Sequence, residues 1–290
     1  FFLLPVVFVT LYQYQTASVH FDEMIQSRRK VVSYLAASLI EEKFNVLKET
    51  ITTYSLSREF RNQIIKKNWN GAIDIADEII KVHPDIERVA IVDPEGTLMA
   101  GVPDIPETIG KNFSYRDWYN EIIRTDDTYL SNIFKRVAKP YYNIILIGTP
   151  VKDFNNKLIG ILTLQVRISR MIDWAKDFEF GDGRVYFVDR LGQANGNVQS
   201  SELDKIIPNL SNLSFIKKVL QGKQGVEIFK GVSKQEARLV AYYPVKGYGW
   251  GVVAEEPITE AFKTRTRYLQ MTVIFGVVIF SSYFAPSAQN

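Results

Sequence analysis

From Val6 to Asn70 the chain contains neither glycine nor proline. These are the residues that end or interrupt helices, so a run of this length is unusual in a folded protein unless helix dominates it. Within it Ile25, Val32, Leu39 and Val46 recur every seven residues, and Leu35, Ile40, Leu47 and Tyr54 widen the stripe. The spacing predicts a long amphipathic helix that packs along the body of the protein or against a partner's helix. Arg28, Arg29, Lys30, Glu41, Glu42 and Lys43 form its solvated faces. Ser55 to Ser57 offers caps for a break, after which Phe60, Ile64 and Ile65, then Ile73, Ala76, Ile79 and Ile80, mark shorter helices.

Two uncharged runs frame the chain. Phe1 to Tyr12 is apolar apart from Thr10. It is shorter than the ~20 residues that cross a bilayer and reads as the end of a membrane helix. Tyr268 to Phe284 is the second run, near the lower limit for spanning. Together they predict that the middle of the chain lies on one side of a membrane. Lys263, Arg265 and Arg267 stand on the loop side of the second run, so charge alone does not put that loop outside.

From Ile86 the period shortens to that of strands. Arg88 to Asp93, Thr97 to Ala100, Tyr129 to Phe134, Tyr141 to Val151 and Leu158 to Ile168 predict an antiparallel sheet, with Asp153 to Asn156 as a hairpin-like turn. The unit then recurs. Arg88-Val89, Val92-Asp93 and Gly96 match Arg184-Val185, Val188-Asp189 and Gly192, and Pro150-Val151-Lys152 matches Pro244-Val245-Lys246. Two matches in the same order at nearly one offset indicate a duplicated module. In the second copy Ala237 to Val245 and Trp250 to Glu255 read as strands and Ser201 to Leu220 as helices. Asp93 and Asp189 precede turns and read as turn residues.

One short stretch is dense in recognition chemistry: Gly110-Lys-Asn-Phe-Ser-Tyr-Arg-Asp-Trp-Tyr119. Ser114 and Asp117 have capping-box spacing, which predicts a helix from Tyr115. Trp118 and Ile122 then share one face, while Arg116, Tyr119 and Asn120 share another. A guanidinium beside aromatic rings can grip a carboxylate in a rigid apolar setting, although such a pair is also common on ordinary helix surfaces.

At these residues the chain resembles the double Cache sensor domains of chemotaxis receptors, sensor histidine kinases and membrane-bound diguanylate cyclases. In that family an Arg-x-Trp-Tyr segment lines a membrane-distal pocket; here it reads Arg116-Asp117-Trp118-Tyr119. The resemblance implies an α+β fold of two PAS-like antiparallel-sheet modules in tandem on a long N-terminal helix, flanked by transmembrane helices. Its expected divisions are the end of a first transmembrane helix (1–14), a stalk helix with those that follow (15–70), a membrane-distal module (71–176), a membrane-proximal module (177–258), a connector (259–267) and a second transmembrane helix (268–284). Residues 15–267 are then extracytoplasmic, and the output unit lies outside this sequence. The second copy lacks an Arg-x-Trp-Tyr segment, as the smaller, often empty proximal module of the family implies.

The resemblance also implies a site. Family members that bind amino acids use the Arg-x-Trp-Tyr segment for the carboxylate and acidic residues on two strands for the ammonium. Those acidic places fall near Arg136 and Gln165 here, and a pocket tyrosine falls at Lys111. Neither Arg nor Gln balances an ammonium. The expected ligand is therefore a carboxylate or dicarboxylate held by Lys111, Arg116 and Arg136, with Trp118, Tyr119 and Phe134 around its carbon frame. An amino acid ligand and a purely structural ectodomain are the alternatives. Homodimerisation along the Ile25, Val32, Leu39 and Val46 stripe is expected, to present paired outputs.

Composition narrows the rest. With 35 basic and 32 acidic residues the net charge is only +3, which does not make the positive field of a nucleic-acid binder. No cysteine and two histidines exclude thiolate metal sites and disulfides. No nucleophile elbow, phosphate loop or zinc-protease helix occurs, His20 and His83 have no visible partners, and Asp126-Asp127 and Glu255-Glu256 read as solvated pairs. No catalysis, metal or cofactor is expected in this region.

Overall fold

The structure, a computed structural model, describes residues 3–178, 182–195, 208–230 and 236–284. The glycine- and proline-free run forms one helix, α1 (Leu3–Leu56), which at 1.5 Å per residue is ~80 Å long. It ends where the serines stand: Ser57 caps α2 (Arg58–Ile65), accepting from Phe60 N, and Asn68 caps α3 (Trp69–Val82), accepting from Gly71 N.

The expected partner stripe on α1 is used within the chain itself. Ile25 is buried with Leu239 and Ala261, and Val32 and Leu39 pack against the main core. Burial centres on Ala36, Ala37, Ile40, Phe44, Leu47 and Ile51. The two alanines let the helix lie close against the sheets and widen the buried face beyond the expected stripe, of which Leu35 is left exposed.

Two separate antiparallel sheets follow. The first comprises β1 (Ile86–Val92), β2 (Leu98–Val102), β3 (Tyr129–Leu130), β4 (Phe134–Lys135), β5 (Asn143–Lys152) and β6 (Leu158–Arg167), ordered β2-β1-β6-β5-β3, with β4 also on β5. α4 (Asp117–Thr125) joins β2 to β3, and α5 (Ile168–Ala175) follows β6. The second comprises β7 (Arg184–Val188), β8 (Ala194–Asn195), β9 (Gly225–Phe229), β10 (Arg238–Val245) and β11 (Trp250–Pro257), ordered β8-β7-β11-β10-β9. α6 (Ser214–Leu220) lies before β9. The order is the same in both, as the internal repeat requires.

α1 backs both sheets through one continuous core that includes Phe44, Ile145, Leu164, Trp250 and Val252. The opposite face of each sheet carries its own short helix, α4 in the first and α6 in the second. The repeated turns are built alike. Asp93 Oδ1 accepts from the Glu95 and Thr97 amides, and Asp189 Oδ1 from those of Leu191 and Gln193. Gly96 and Gly192 take φ of +91° and +77°, where a side chain would be strained, and an added Cβ would come within 2.8 Å of Ser114 or 2.7 Å of Ser211.

Two differences from the sequence reading have local causes. The expected strand Tyr129 to Phe134 divides into β3 and β4, and around the break the chain also bonds the second module. The Ile133 amide donates to Asp189 Oδ2 at 2.9 Å, and Arg190 Nη1 donates to the Leu130 carbonyl at 2.9 Å. The edge strand β9 was not marked by alternation, since its residues are half-buried on one side and exposed at Ile228 on the other. Of the helices expected over Ser201 to Leu220, α6 is seen, and residues 201–207 lie outside those described.

At the ends, α7 (Ile258–Ala261) leads into α8 (Lys263–Phe284), which returns beside the start of α1. Arg265 Nη2 donates to Ser18 Oγ at 2.6 Å, its Nε lies 3.0 Å from Asp22 Oδ1, and the Phe21 and Tyr268 rings are 5.2 Å apart. No helix among the described residues is long and apolar enough to cross a membrane. The expected span 268–284 forms the greater part of α8, and Lys263, Arg265 and Arg267 occupy the first turns of that helix.

Candidate ligand-binding site

Alternation along three strands lays down the floor of a cavity on the open face of the first sheet. Arg88, Ala90 and Val92 of β1, Thr163 and Gln165 of β6, and Ile144 and Leu146 of β5 face it. Phe113, Arg116 and Trp118 come from the approach to α4, and Phe134, Arg136 and Ala138 close a third side. The cavity volume is about 50 Å³, well below that of drug-sized ligand sites, so the site suits a small ligand.

Arg116 is the N-cap of α4, in extended conformation, and the helix begins at Asp117 rather than at Tyr115. The expected capping box does not form, because Ser114 is taken up by the preceding turn: its amide and hydroxyl both donate to Asn112 Oδ1. α4 buries Trp118 and Ile122 on its lower face. The Arg116 guanidinium lies 5.1 Å from the rings of both Tyr115 and Phe134, a cation–π setting that holds it while leaving its N–H edges free to face a ligand.

Arg136 enters from the loop between β4 and β5. Its guanidinium stacks 4.9 Å over the Tyr142 ring and donates to the Tyr142 hydroxyl, which in turn donates to Glu87. Glu87 Oε1 is 3.8 Å from Arg136 Nη1, a loose ion pair, and Glu87 does not reach the cavity wall. Burial and this carboxylate push the Tyr142 phenol well above its ordinary range, so the hydroxyl stays a neutral relay.

Arg88 is the residue that the sequence reading missed. Only 4% exposed, it rises from β1 into the cavity, where its Nη2 donates to Thr108 Oγ1 at 3.1 Å. Its Nε is buried without a hydrogen-bond partner, as is that of Arg136. Gly101 on β2 makes the room: a Cβ there would come within 2.7 Å of Arg88 Nη2. Burial first, then the neighbouring Arg136, pull the Arg88 pKa down to about 10. One signal was available, since Arg88 shares the strand period with Ala90 and Val92 and is the charged member of that row.

Arg116, Trp118, Phe134, Arg136 and Gln165 are thus brought onto one wall system. Tyr119 and Lys111 are not. Tyr119 packs beside Trp118, and its hydroxyl donates to the Pro94 carbonyl at 2.6 Å, tying α4 to the β1–β2 turn. Lys111 is exposed outside the cavity; the fold uses its carbonyl, which accepts from Leu98 N. No described Asp or Glu lines the cavity.

Solved structures with this fold include the ligand-binding domain of the Pseudomonas aeruginosa PAO1 amino acid chemoreceptor PctB in complex with L-Arg, at 14% identity and TM-score 0.63, covering 83% of this chain and 98% of that one. The periplasmic sensory domain of the Campylobacter jejuni chemoreceptor Tlp1 matches at 12% identity and TM-score 0.65, over 84% and 98% of the two chains. The P. aeruginosa PAO1 PctC domain in complex with GABA matches at 15% and 0.58, over 80% and 99%. At these identities the likeness is one of fold. No curated protein sequence matches at a significant level. The family model described as Cache domain, dCache_1, matches residues 11–264, nearly the whole described body, and the chain accordingly belongs to the double Cache family.

Proposed function

We propose that this chain is the extracytoplasmic ligand-sensing region of a membrane-anchored signalling receptor, and that a small carboxylate-bearing molecule binds in the distal cavity. The carrying observation is three guanidinium groups on a cavity wall that bears no described carboxylate. Arg88 is buried with no ion-pair partner, a standing cost that an entering carboxylate removes while forming bidentate, charge-assisted hydrogen bonds. The sensory roles printed for PctB, PctC and Tlp1 support the receptor part of the reading.

The chain offers a mechanical route out of the site. The segment between β3 and β4, which adjoins the wall residues Phe134 and Arg136, is bonded to Asp189 and Arg190 at the β7–β8 turn. β7 pairs with β11, and β11 runs into α7 and α8. A ligand that draws Arg136 inward therefore biases the relative setting of the modules and of α8. At the far end Phe8, Leu11, Ile274, Phe275 and Val278 are exposed and apolar on two adjacent helices, a surface suited to lipid, through which α8 would reach an output unit. Two copies would meet along the exposed edge of α1 at Val31 and Leu35, since Ile25, Val32 and Leu39 are engaged at home.

The PctB complex with L-Arg favours a second reading, an amino acid as ligand. It requires a carboxylate for the ammonium, which Glu87 would have to supply by leaving Tyr142. A thermal-shift screen of the full chain in detergent separates the readings: a native-state ligand at a hundredfold excess over Kd stabilises by ~2.7 kcal/mol. Carboxylates without an amine should raise the melting temperature, and Arg116→Ala should remove the effect. Response to free amino acids alone would favour the second reading, and silence to every carboxylate would overturn both.

A further inference from the structure

The repeat supplies an internal control for Arg88, whose buried Nε has no hydrogen-bond partner. Arg184 occupies the equivalent place on β7, and sheet register sets Glu255 of β11 directly opposite it, as Gln165 of β6 stands opposite Arg88. Glu255 is 4% exposed and neutralises that spot: its Oε1 lies 2.7 Å from Arg184 Nε, 2.6 Å from Arg184 Nη2 and 3.2 Å from Arg238 Nε, while the Tyr186 hydroxyl donates to Oε2 at 3.3 Å. The proximal module thus carries a carboxylate of its own where the distal module has a neutral amide. Resting on the carboxylate-sensor reading above, we propose that a ligand carboxylate fills this place at Arg88, so that the ligand is a small dicarboxylate spanning Arg88 and Arg116.

The geometry assigns the parts. Arg88 rises from the strand floor and Arg116 from the head of α4, on different walls, and each can take one carboxylate in a bidentate grip. Arg136 adds a third positive charge from the loop side. Between them the lining is Ile144, Leu146, Trp118 and Phe134, which suits a short carbon chain rather than a compact inorganic anion. The ammonium of an amino acid would meet arginines and find no counter-charge on the wall.

Calorimetry on the full chain in detergent tests this with malonate, succinate and glutarate, each paired with the monocarboxylate of the same chain length, and with 4-aminobutyrate and inorganic phosphate. At least one dicarboxylate should bind about tenfold or more tighter than its monocarboxylate partner, as a lost charged hydrogen-bond pair implies. 4-Aminobutyrate should not bind. Arg88→Met should bring the dicarboxylate down to the monocarboxylate level. Gln165→Glu, which copies the proximal arrangement and keeps the strand surface polar, should abolish the dicarboxylate preference in a chain that melts no lower than the wild type. Equal binding of each pair, a preference that survives either substitution, or tighter binding of phosphate would overturn the inference. If monocarboxylates or amino acids bind in an Arg116-dependent way while dicarboxylates show no advantage, the sensor reading stands and this one falls; if no carboxylate binds, both fall.

Discussion

Where the distal module places Arg116 ahead of a short helix and Trp118 within it, the proximal module has Leu213 ahead of α6 and Phe215 within it. Tyr186, Phe215, Val219, Tyr242 and Val253 form a packed cluster on that face, with Leu213 against it. The same first-strand arginine is balanced in one module by Glu255 and faces Gln165 in the other. Strand order, turn chemistry and helix placement are shared, so none of these makes a site. The difference rests on a few positions: the apolar Leu213 in one copy where the other has Arg116, and an acidic partner present for Arg184 but not opposite Arg88. A duplicated fold can therefore carry different side chains at matching places with little change to its frame.

The largest test of this comparison is truncation of the matched aromatics. Trp118→Ala and Phe215→Ala remove buried rings from corresponding clusters and should each cost about 3–5 kcal/mol in chemical unfolding. Only the first should also weaken carboxylate binding; loss of binding in both would erase the distinction between modules. Next, Glu255→Gln strips the counter-charge from Arg184 and Arg238 and should cost about 2–3 kcal/mol, less than for a fully buried pair because Arg184 is partly exposed. A neutral outcome would mean the proximal pair is no guide to Arg88.

The two turn aspartates come third. Asp189→Asn keeps the turn contacts of Oδ1 but turns an amide donor toward the Ile133 N–H, and should cost about 1–3 kcal/mol. Asp93→Asn has no such second partner and should cost about 0.5 kcal/mol. Equal losses in thermal melts would show that the inter-module bond contributes little. The smallest effect is a gain: Arg88→Met should stabilise the ligand-free chain at neutral pH by about 1 kcal/mol. The sign follows from the Arg88 pKa, which folding lowers to about 10. A depressed folded-state value adds stability only above the unfolded pKa, and that stability is lost as pH falls through about 10. At pH 7 the wild type therefore bears the full cost of a buried charge, and the advantage of the variant should shrink above pH 10.

Much of the frame was legible in the sequence. The helix of α1 follows from the missing glycines and prolines, and the two sheets from strand runs and the offset from Arg88-Val89 to Arg184-Val185. Arg116 and Trp118 stood out because a charged residue and a large aromatic meet in a short segment. Arg88 was hidden because it was read as part of the repeat, and only sheet register shows that Gln165 and not a carboxylate faces it. Lys111 was assigned by correspondence with a pocket residue, whereas the loop presents its backbone to Leu98 and its side chain to solvent. On α1 the stripe holds at Ile25, Val32, Leu39, Ile40, Leu47 and Tyr54 while Leu35 is exposed, and Ala36 and Ala37 add burial through closeness, which a count of large apolar residues does not register.

Binding stoichiometry tests the central claim most directly. Calorimetric titration of the full chain with its best carboxylate should give one ligand per chain, abolished by Arg116→Ala and unchanged by Leu213→Ala at the matching place in the proximal module. Two ligands per chain, or binding that persists in Arg116→Ala and is lost in Leu213→Ala, would contradict a sensor built in the distal module alone.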